Sequence, residues 1–220
     1  MAAVERRLSI RFLHMLCEVF ARSYHHVELP QPVRWPRRGA GILVCNHLSA
    51  LDPFLLQGVI ARPIVWMMAR EYYDLPVFSR LFKLIEAIPV DRTGRDTAAM
   101  RSALRALHRG RIVGLFPEGK IETTRQLIAF QSGAALLAIK SAAPIYPFYL
   151  EGTQRGHETA AALALPHEAV LRCGAALHFG ARWSARADVS AATGQIQAAV
   201  HALMPPGKAG QGRAKPGKAG

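Results

Sequence analysis

Apolar positions along the chain recur at two spacings, helical and strand-like, and their succession lays out the predicted elements. Over residues 4–23, Leu8, Phe12, Met15, Leu16, Val19 and Phe20 return at helical intervals, with Arg6, Arg7, Arg11 and Arg22 between them. That pattern predicts an amphipathic helix. Two placements fit it: flat in a membrane interface with its apolar face among acyl chains, or packed on a domain core. Pro30, Pro32 and Pro36, mixed with Arg34, Arg37 and Arg38, form a connector into the run Gly41-Ile42-Leu43-Val44, a short buried strand. Asp52-Pro53 opens a helix that ends near Ile60, with Asp52 a good N-cap and Pro53 at the first helical position. A strand over 64–69 follows, then a helix over 75–85 that places Phe78, Leu81, Phe82 and Ile85 on one face. The short strand 87–90 contains Pro89, which assigns it to an edge or a strand end.

The second half continues the alternation. A helix over 95–109 closes at Gly110, and a strand over 112–116 is broken by Pro117-Glu118-Gly119. Ser132 is expected to cap a small-residue helix over 133–140, which leads into a strand over 145–150. A late strand over 170–179 and a closing helix over 189–204, with Gly194 in its middle, complete the pattern. Strands alternating with helices predict an α/β fold: a largely parallel central sheet flanked by helices, with the amphipathic helix in front. The expected division is an N-terminal helix and connector over 1–38, one domain over 39–204 and a disordered basic tail over 205–220, rich in Pro, Gly, Lys and Ala.

Composition changes this picture in three respects. Half of the 220 residues are apolar, enough for one sizeable core. Lys and Arg number 28 against 15 Asp and Glu, a formal +13 that attracts polyanions: nucleic acid, anionic lipid or acidic partners. Lys208, Arg213, Lys215 and Lys218 of the tail supply part of that charge. The three cysteines, Cys17, Cys45 and Cys173, show neither a disulfide framework nor paired zinc spacing, which favours a reducing compartment. His14, His25 and His26 lack metal-ligand context, so no metal is expected. No secretory leader is expected either, because Glu5, Arg6, Arg7 and Arg11 interrupt the first residues. The least charged stretch, 126–150, contains Gly133, Lys140, Pro144 and Pro147 and suits a helix plus a buried strand better than a membrane span.

Candidate chemistry gathers at strand ends. His47 and Asp52 follow the strand ending near Val44, Asp91-Arg92 follow the strand 87–90, and Glu118-Gly119 follow the strand 112–116. Parallel strands bring their C-terminal ends to one edge of a sheet, so the three pairs can share a crevice. Histidine is the natural general base near neutral pH, a neighbouring carboxylate orients it, and arginine grips phosphate bidentately. Each residue also has a plainer role open to it. Asp52 caps a helix, Arg92 pairs with Asp91 or Asp96, and Glu118 belongs to a turn. Cys45 is either a buried small hydrophobe or a nucleophile with His47 as its base.

Four blocks in order, over 41–153, resemble the glycerolipid (lysophospholipid) acyltransferase family. They are Asn46-His47-Leu48-Ser49-Ala50-Leu51-Asp52, Ile88-Pro89-Val90-Asp91-Arg92, Phe116-Pro117-Glu118-Gly119, and Pro144-Ile145-Tyr146-Pro147 through Gly152-Thr153. The stretch from Phe130 to Ala138 also suits that family. The resemblance implies acyl transfer from a thioester, acyl-CoA or acyl-carrier protein, to a lysophospholipid hydroxyl, by default that of 1-acyl-glycerol-3-phosphate. It implies His47 as base, Asp52 as its partner, and Arg92 on the acceptor phosphate. Glu118, Gly119 and Lys120 would help form the acceptor pocket beside Asp91, while Asn46 and Ser49 position the His47 loop. No metal or prosthetic group is implied. The expected location is peripheral or monotopic on the cytoplasmic side of a membrane, in contact with anionic lipid and with no specific nucleic acid. Three departures from the family pattern stand out. Glu86 occupies a position often held by Gly, Lys120-Ile121 replaces Thr-Arg, and Gln131 replaces a basic residue. They keep other acceptors open: glycerol phosphate, a lysolipid with a larger headgroup, or an amino lipid. A thioester hydrolase and a non-enzymatic basic membrane- or nucleic-acid-binding protein remain the other classes.

Overall fold

The computed structural model describes residues 2–32, 35–93, 96–121, 128–153, 168–180 and 186–205, with backbone alone for 2–7 and 186–187. Six strands form one sheet: β1 (Gly41–Cys45), β2 (Ile64–Ala69), β3 (Ile88–Val90), β4 (Ile112–Leu115), β5 (Ile145–Glu151) and β6 (Val170–Cys173). Their order across the sheet is β3-β2-β4-β1-β5-β6, parallel throughout except for the antiparallel β5–β6 pair. Among the described residues the helices are α1 (Ala2–Val19, continued by a π-helical turn over Phe20–Tyr24), α2 (Asp52–Val59), α3 (Arg70–Tyr73), α4 (Pro76–Leu84), α5 (Thr97–His108), α6 (Gly133–Ser141) and α7 (Arg186–His201). The expected α/β architecture with a largely parallel sheet is the one observed. Of the basic tail expected over 205–220, all but Pro205 lies outside the described residues.

Alternation along β1 explains the layers. Ile42 and Val44 face a core built with Val113, Leu137, Ala138, Ile196 and others from α5, α6 and α7. Leu43 and Cys45 face the opposite way, toward Leu51, Leu55 and Leu56 of the α2 region and Ala21 below α1. A sheet covered on both faces needs apolar residues on both, which is why β1 reads as an unbroken apolar run. The N-terminal helix rests on α2 at Gly58, where a Cβ would stand 2.2 Å from the Cys17 carbonyl oxygen. His14 adds a bond of its ring nitrogen to the Ile60 carbonyl at 2.9 Å.

Several boundaries differ from the expectation, each for a local reason. Ser132 does not cap α6, because its backbone is already helical (φ −71°, ψ −2°) and its side chain makes no capping bond. α5 is capped instead by Asp96, whose Oδ1 accepts from the amides of Ala98 and Ala99. The late strand ends at Cys173. Gly174 still donates to the Pro147 carbonyl, but Pro147 has no N–H to return, so the ladder stops there. Leu177 rejoins β5 through an isolated bridge to Ile145. Glu86 adopts φ +60°, the left-handed conformation that a glycine takes without steric cost, and its carboxylate pairs with Arg111 at 3.2 Å. The turn before β3 therefore keeps a glycine-like backbone despite the substitution.

Gly58→Ala puts the new methyl into backbone of α1. The expected cost is about 1–3 kcal/mol, read as a fall in Tm of roughly 2–4 °C per kcal/mol. Faster amide exchange should appear in α1 and spare the central strands.

Candidate active site

The loop between β1 and α2 is organised by the Asp52 carboxylate, which is fully buried. Its Oδ2 accepts from the His47 ring at Nδ1 (2.9 Å), from the Leu48 amide (2.7 Å) and from the Ser49 amide (2.8 Å). Its Oδ1 accepts from the Thr153 hydroxyl at 2.8 Å. The expected helix cap is not made: Leu51 stands at the N-cap of α2, Asp52 is the first helical residue, and no side chain caps that end. The carboxylate turns back over the loop instead. Four donors converge on one buried charge, and hydrogen bonds to the charged form are what make its burial tolerable.

With Nδ1–H donating to Asp52, the neutral His47 ring carries its lone pair on Nε2. Among the described residues Nε2 has no hydrogen-bond partner, and the ring is 16% exposed. One ring face is stacked on Phe116, with centroids 4.0 Å apart at 12°, and Phe116 is stacked in turn on Trp66 at 5.3 Å and 4°. Carboxylate and aromatic stack together leave the imidazole a single orientation. The sequence marks Phe116 as the end of the strand 112–116 and the first residue of its motif, and Trp66 as a strand residue, with no sign of the stack. Phe116 meets His47 because β4 lies beside β1, and Trp66 backs Phe116 because β2 lies on the other side of β4.

Neighbouring residues hold the loop in place. Asn46 is buried, and its amide donates to the Leu150 carbonyl (2.9 Å) and accepts from the Leu150 amide (2.8 Å). It thereby extends the β1–β5 ladder by a side chain. The Ser49 hydroxyl accepts from the Leu51 amide at 3.2 Å. The Cys45 thiol is fully buried, and its pKa is pushed well above the usual thiol value by burial first and by the Asp52 and Glu118 charges next. At neutral pH Cys45 is therefore a protonated thiol, a poor nucleophile.

The other strand ends reach this loop to different degrees. Glu118 is buried after β4, and its Oε1 accepts from the His47 amide at 3.4 Å. Arg92 leaves the far edge strand β3 yet reaches back, donating from Nη1 to the Gly119 carbonyl at 2.9 Å. Its Nη2 forms an ion pair with Glu71 of α3, not with Asp91 or Asp96. Asp91 belongs to a local turn: its Oδ1 accepts from the Thr93 amide (2.9 Å) and hydroxyl (2.6 Å). Those two bonds, the hydroxyl first, hold its carboxyl below the ordinary range. Lys120 stands exposed at the end of the Glu118-Gly119 turn, with no hydrogen bond or ion pair among the described residues. No group of three His, Cys, Asp or Glu side chains suited to a metal ion occurs among the described residues. Taken together, the arrangement offers a fixed base, a buried counter-charge and a guanidinium beyond them, the parts needed to remove a proton near an anionic group.

Asp52→Asn leaves the shape intact but turns an NH2 group toward existing donors. We expect a loss of about 1–3 kcal/mol in urea unfolding, with Asp52→Ala losing at least as much. A variant as stable as the parent would mean that the four bonds carry no net stability.

The Acyltransferase family model matches residues 26–151, more than half of the chain. The chain is 30% identical over 115 residues to a 1-acyl-sn-glycerol-3-phosphate acyltransferase of Cocos nucifera, covering 51% of this chain and 37% of the relative. It is 27% identical over 124 residues to the enzyme of that name from Bacillus subtilis, covering 56% and 61%. Against that of Escherichia coli it is 27% identical over 130 residues, covering 58% and 53%. The match thus spans between about a third and three fifths of these relatives' length. The crystal structure of the 1-acyl-sn-glycerophosphate (LPA) acyltransferase PlsC from Thermotoga maritima superposes with a TM-score of 0.72 at 18% identity, covering 92% of this chain and 83% of that one, which shows the shared fold. The matched segment contains His47, Asp52, Arg92 and Glu118, and the chain belongs to the Acyltransferase family.

Proposed function

We propose that this protein transfers a fatty acyl group from an acyl thioester to the free hydroxyl of a lysophospholipid, by default 1-acyl-glycerol-3-phosphate, giving phosphatidic acid. The observation that carries the reading is the His47 ring, held by Asp52 with Nε2 left to act as base. Nε2 takes the proton from the acceptor hydroxyl as its oxygen attacks the thioester carbonyl. The tetrahedral intermediate collapses, expels the thiolate, and the imidazolium returns the proton to that sulfur. Asp52 stabilises the imidazolium while it exists. The donor, acyl-CoA or acyl-carrier protein, is anionic, and the +13 formal charge supports an encounter with either. The step requires no further cofactor.

Arg92 takes the acceptor phosphate in this reading, with Lys120 as an exposed second cation and Glu118 and Gly119 forming the turn between phosphate and base. Asn46 and Ser49 act by holding the loop. Asp91 contributes through its turn with Thr93, which shapes the approach to Arg92.

The acceptor comes from a membrane, and the surface supports peripheral attachment. Leu8, Phe12, Met15, Leu16 and Val19 of α1 are exposed, as are Tyr72, Leu75, Val77 and Phe78 around α3 and α4. An apolar groove of about 440 Å³ runs between the two helices, lined by Leu8, Phe12, Leu13 and Leu16 on one side and Leu81 and Leu84 on the other. Among the described residues no helix is long and apolar enough to cross a membrane. We assign the attachment to the cytoplasmic leaflet, whose anionic lipids suit the basic chain.

Two experiments test the reading. With labelled acyl-CoA and lysophosphatidate, His47→Ala should lower kcat by about 10²–10⁴-fold, whereas Cys45→Ala should retain most of it. Activity that survives in the first variant, or vanishes from a folded second, sinks the mechanism. Fatty acid released without acceptor would instead mark a hydrolase. For attachment, Val77→Glu should reduce co-sedimentation with anionic phospholipid vesicles severalfold and leave Tm unchanged, since Val77 is 83% exposed. Undiminished sedimentation would remove α4 from the membrane face.

A further inference from the structure

Arg92 is the residue proposed to take the acceptor phosphate, yet its own strand does little to hold it. β3 is three residues long and lies at the sheet edge, and the arginine side chain leaving it is 42% exposed. A long side chain at such a place loses rotamer freedom when it captures a ligand, and that loss weakens binding. Here the freedom is already removed from two directions. Nη1 donates to the Gly119 carbonyl at 2.9 Å, and Nη2 donates to Oε1 of Glu71. Glu71 belongs to α3, the single turn that follows β2, and β2 is the strand that β3 pairs with. The two anchors therefore come from separate elements, the turn after β4 and the helical turn after β2.

A guanidinium carries five N–H groups in a rigid planar fork, so two anchors leave three donors for a ligand. The Gly119 anchor also sets where the fork stands relative to the base. Gly119 turns at φ +72°, directly after Glu118, whose Oε1 accepts from the His47 amide. A guanidinium fixed to Gly119 is consequently in register with His47, and one swinging free of it is not.

We propose that Glu71 is a positioning residue for acceptor binding: its carboxylate holds Arg92 against Gly119, so that the fork is oriented before the phosphate arrives. The inference rests on the reading of Arg92 as the phosphate ligand. Two effects of the carboxylate oppose each other, since it orders Arg92 but also repels an anionic headgroup. Glu71 is half-exposed, so water and salt screen the repulsion, whereas the ordering acts through a direct contact that screening weakens less. Ordering prevails.

The test is steady-state kinetics of the full chain with lysophosphatidate, comparing Glu71→Ala, Glu71→Gln, Arg92→Ala and the Glu71→Ala/Arg92→Ala double variant. Glutamine keeps an oxygen that can accept from Arg92 and discards the charge. We expect Glu71→Ala to raise the acceptor KM about three- to tenfold, with kcat and the donor KM within about twofold of the parent. Glu71→Gln should recover most of that rise, and Glu71→Ala should add nothing once Arg92 is gone. An acceptor KM that stays level or falls in Glu71→Ala overturns the proposal. So does an equal rise in both Glu71 variants, which traces the effect to charge, or a full further rise on top of Arg92→Ala. An acceptor KM unchanged in Arg92→Ala is a different failure, because it removes the phosphate reading of Arg92 itself.

Discussion

One buried carboxylate, with no buried arginine or lysine beside it among the described residues, sets the terms for this structure. Asp52 is sealed from water, and a sealed charge survives only if hydrogen-bond donors replace its hydration. Two backbone amides, one imidazole and one hydroxyl do so. Each donor imposes a demand elsewhere. The amides of Leu48 and Ser49 require the loop to wrap around the carboxylate, and Thr153 requires the end of β5 to lie directly beneath it. The imidazole is the one donor with a second nitrogen left over, and through it the buried charge reaches the partly exposed surface of the site.

The central sheet explains why these demands can be met together. β1 lies between β4 and β5, so the turn after each neighbour stands beside the His47 loop. β4 contributes Phe116 and Glu118, and β5 contributes Thr153 and the backbone of Leu150. The edge strand β3 is too distant to contribute by backbone position, and only the length of an arginine side chain brings it in. Polar chemistry thus occupies the carboxyl ends of the strands, while the exposed apolar residues collect on α1, α3 and α4. α3 joins the two regions, since Glu71 faces Arg92 and the adjacent Tyr72 is exposed. A lipid with a charged head and an apolar body has the same division.

Strand positions and the three polar strand ends were legible in the chain because local periodicity and strand-ending turns encode them. The pairing of His47 with Asp52 was legible from spacing and family resemblance together. What escaped were partners distant in sequence. Thr153 was visible only as the close of a motif, 101 residues from the carboxylate it serves. Glu71 lies in a segment with no periodic signal, and nothing local marks it as the partner of Arg92. Caps failed for a different reason. A capping residue is recognised by type, but capping also needs an extended backbone, which Ser132 lacks, and a side chain free to face the helix, which Asp52 has committed elsewhere. Pro147, legible as a β5 residue, also decided where β6 stops, through the N–H it does not have.

The paired bonds between Asn46 and Leu150 have a consequence for how the protein comes into being. They join positions 104 residues apart, so they cannot form until most of the chain is available. A ribosome releases the His47 loop early, but that loop stays without its anchor until β5 has emerged and threaded in beside β1. Contacts of such sequence separation are entropically late. A half-made chain therefore carries the histidine and the aspartate without the geometry that joins them, and an aborted fragment ending before β5 has no assembled site.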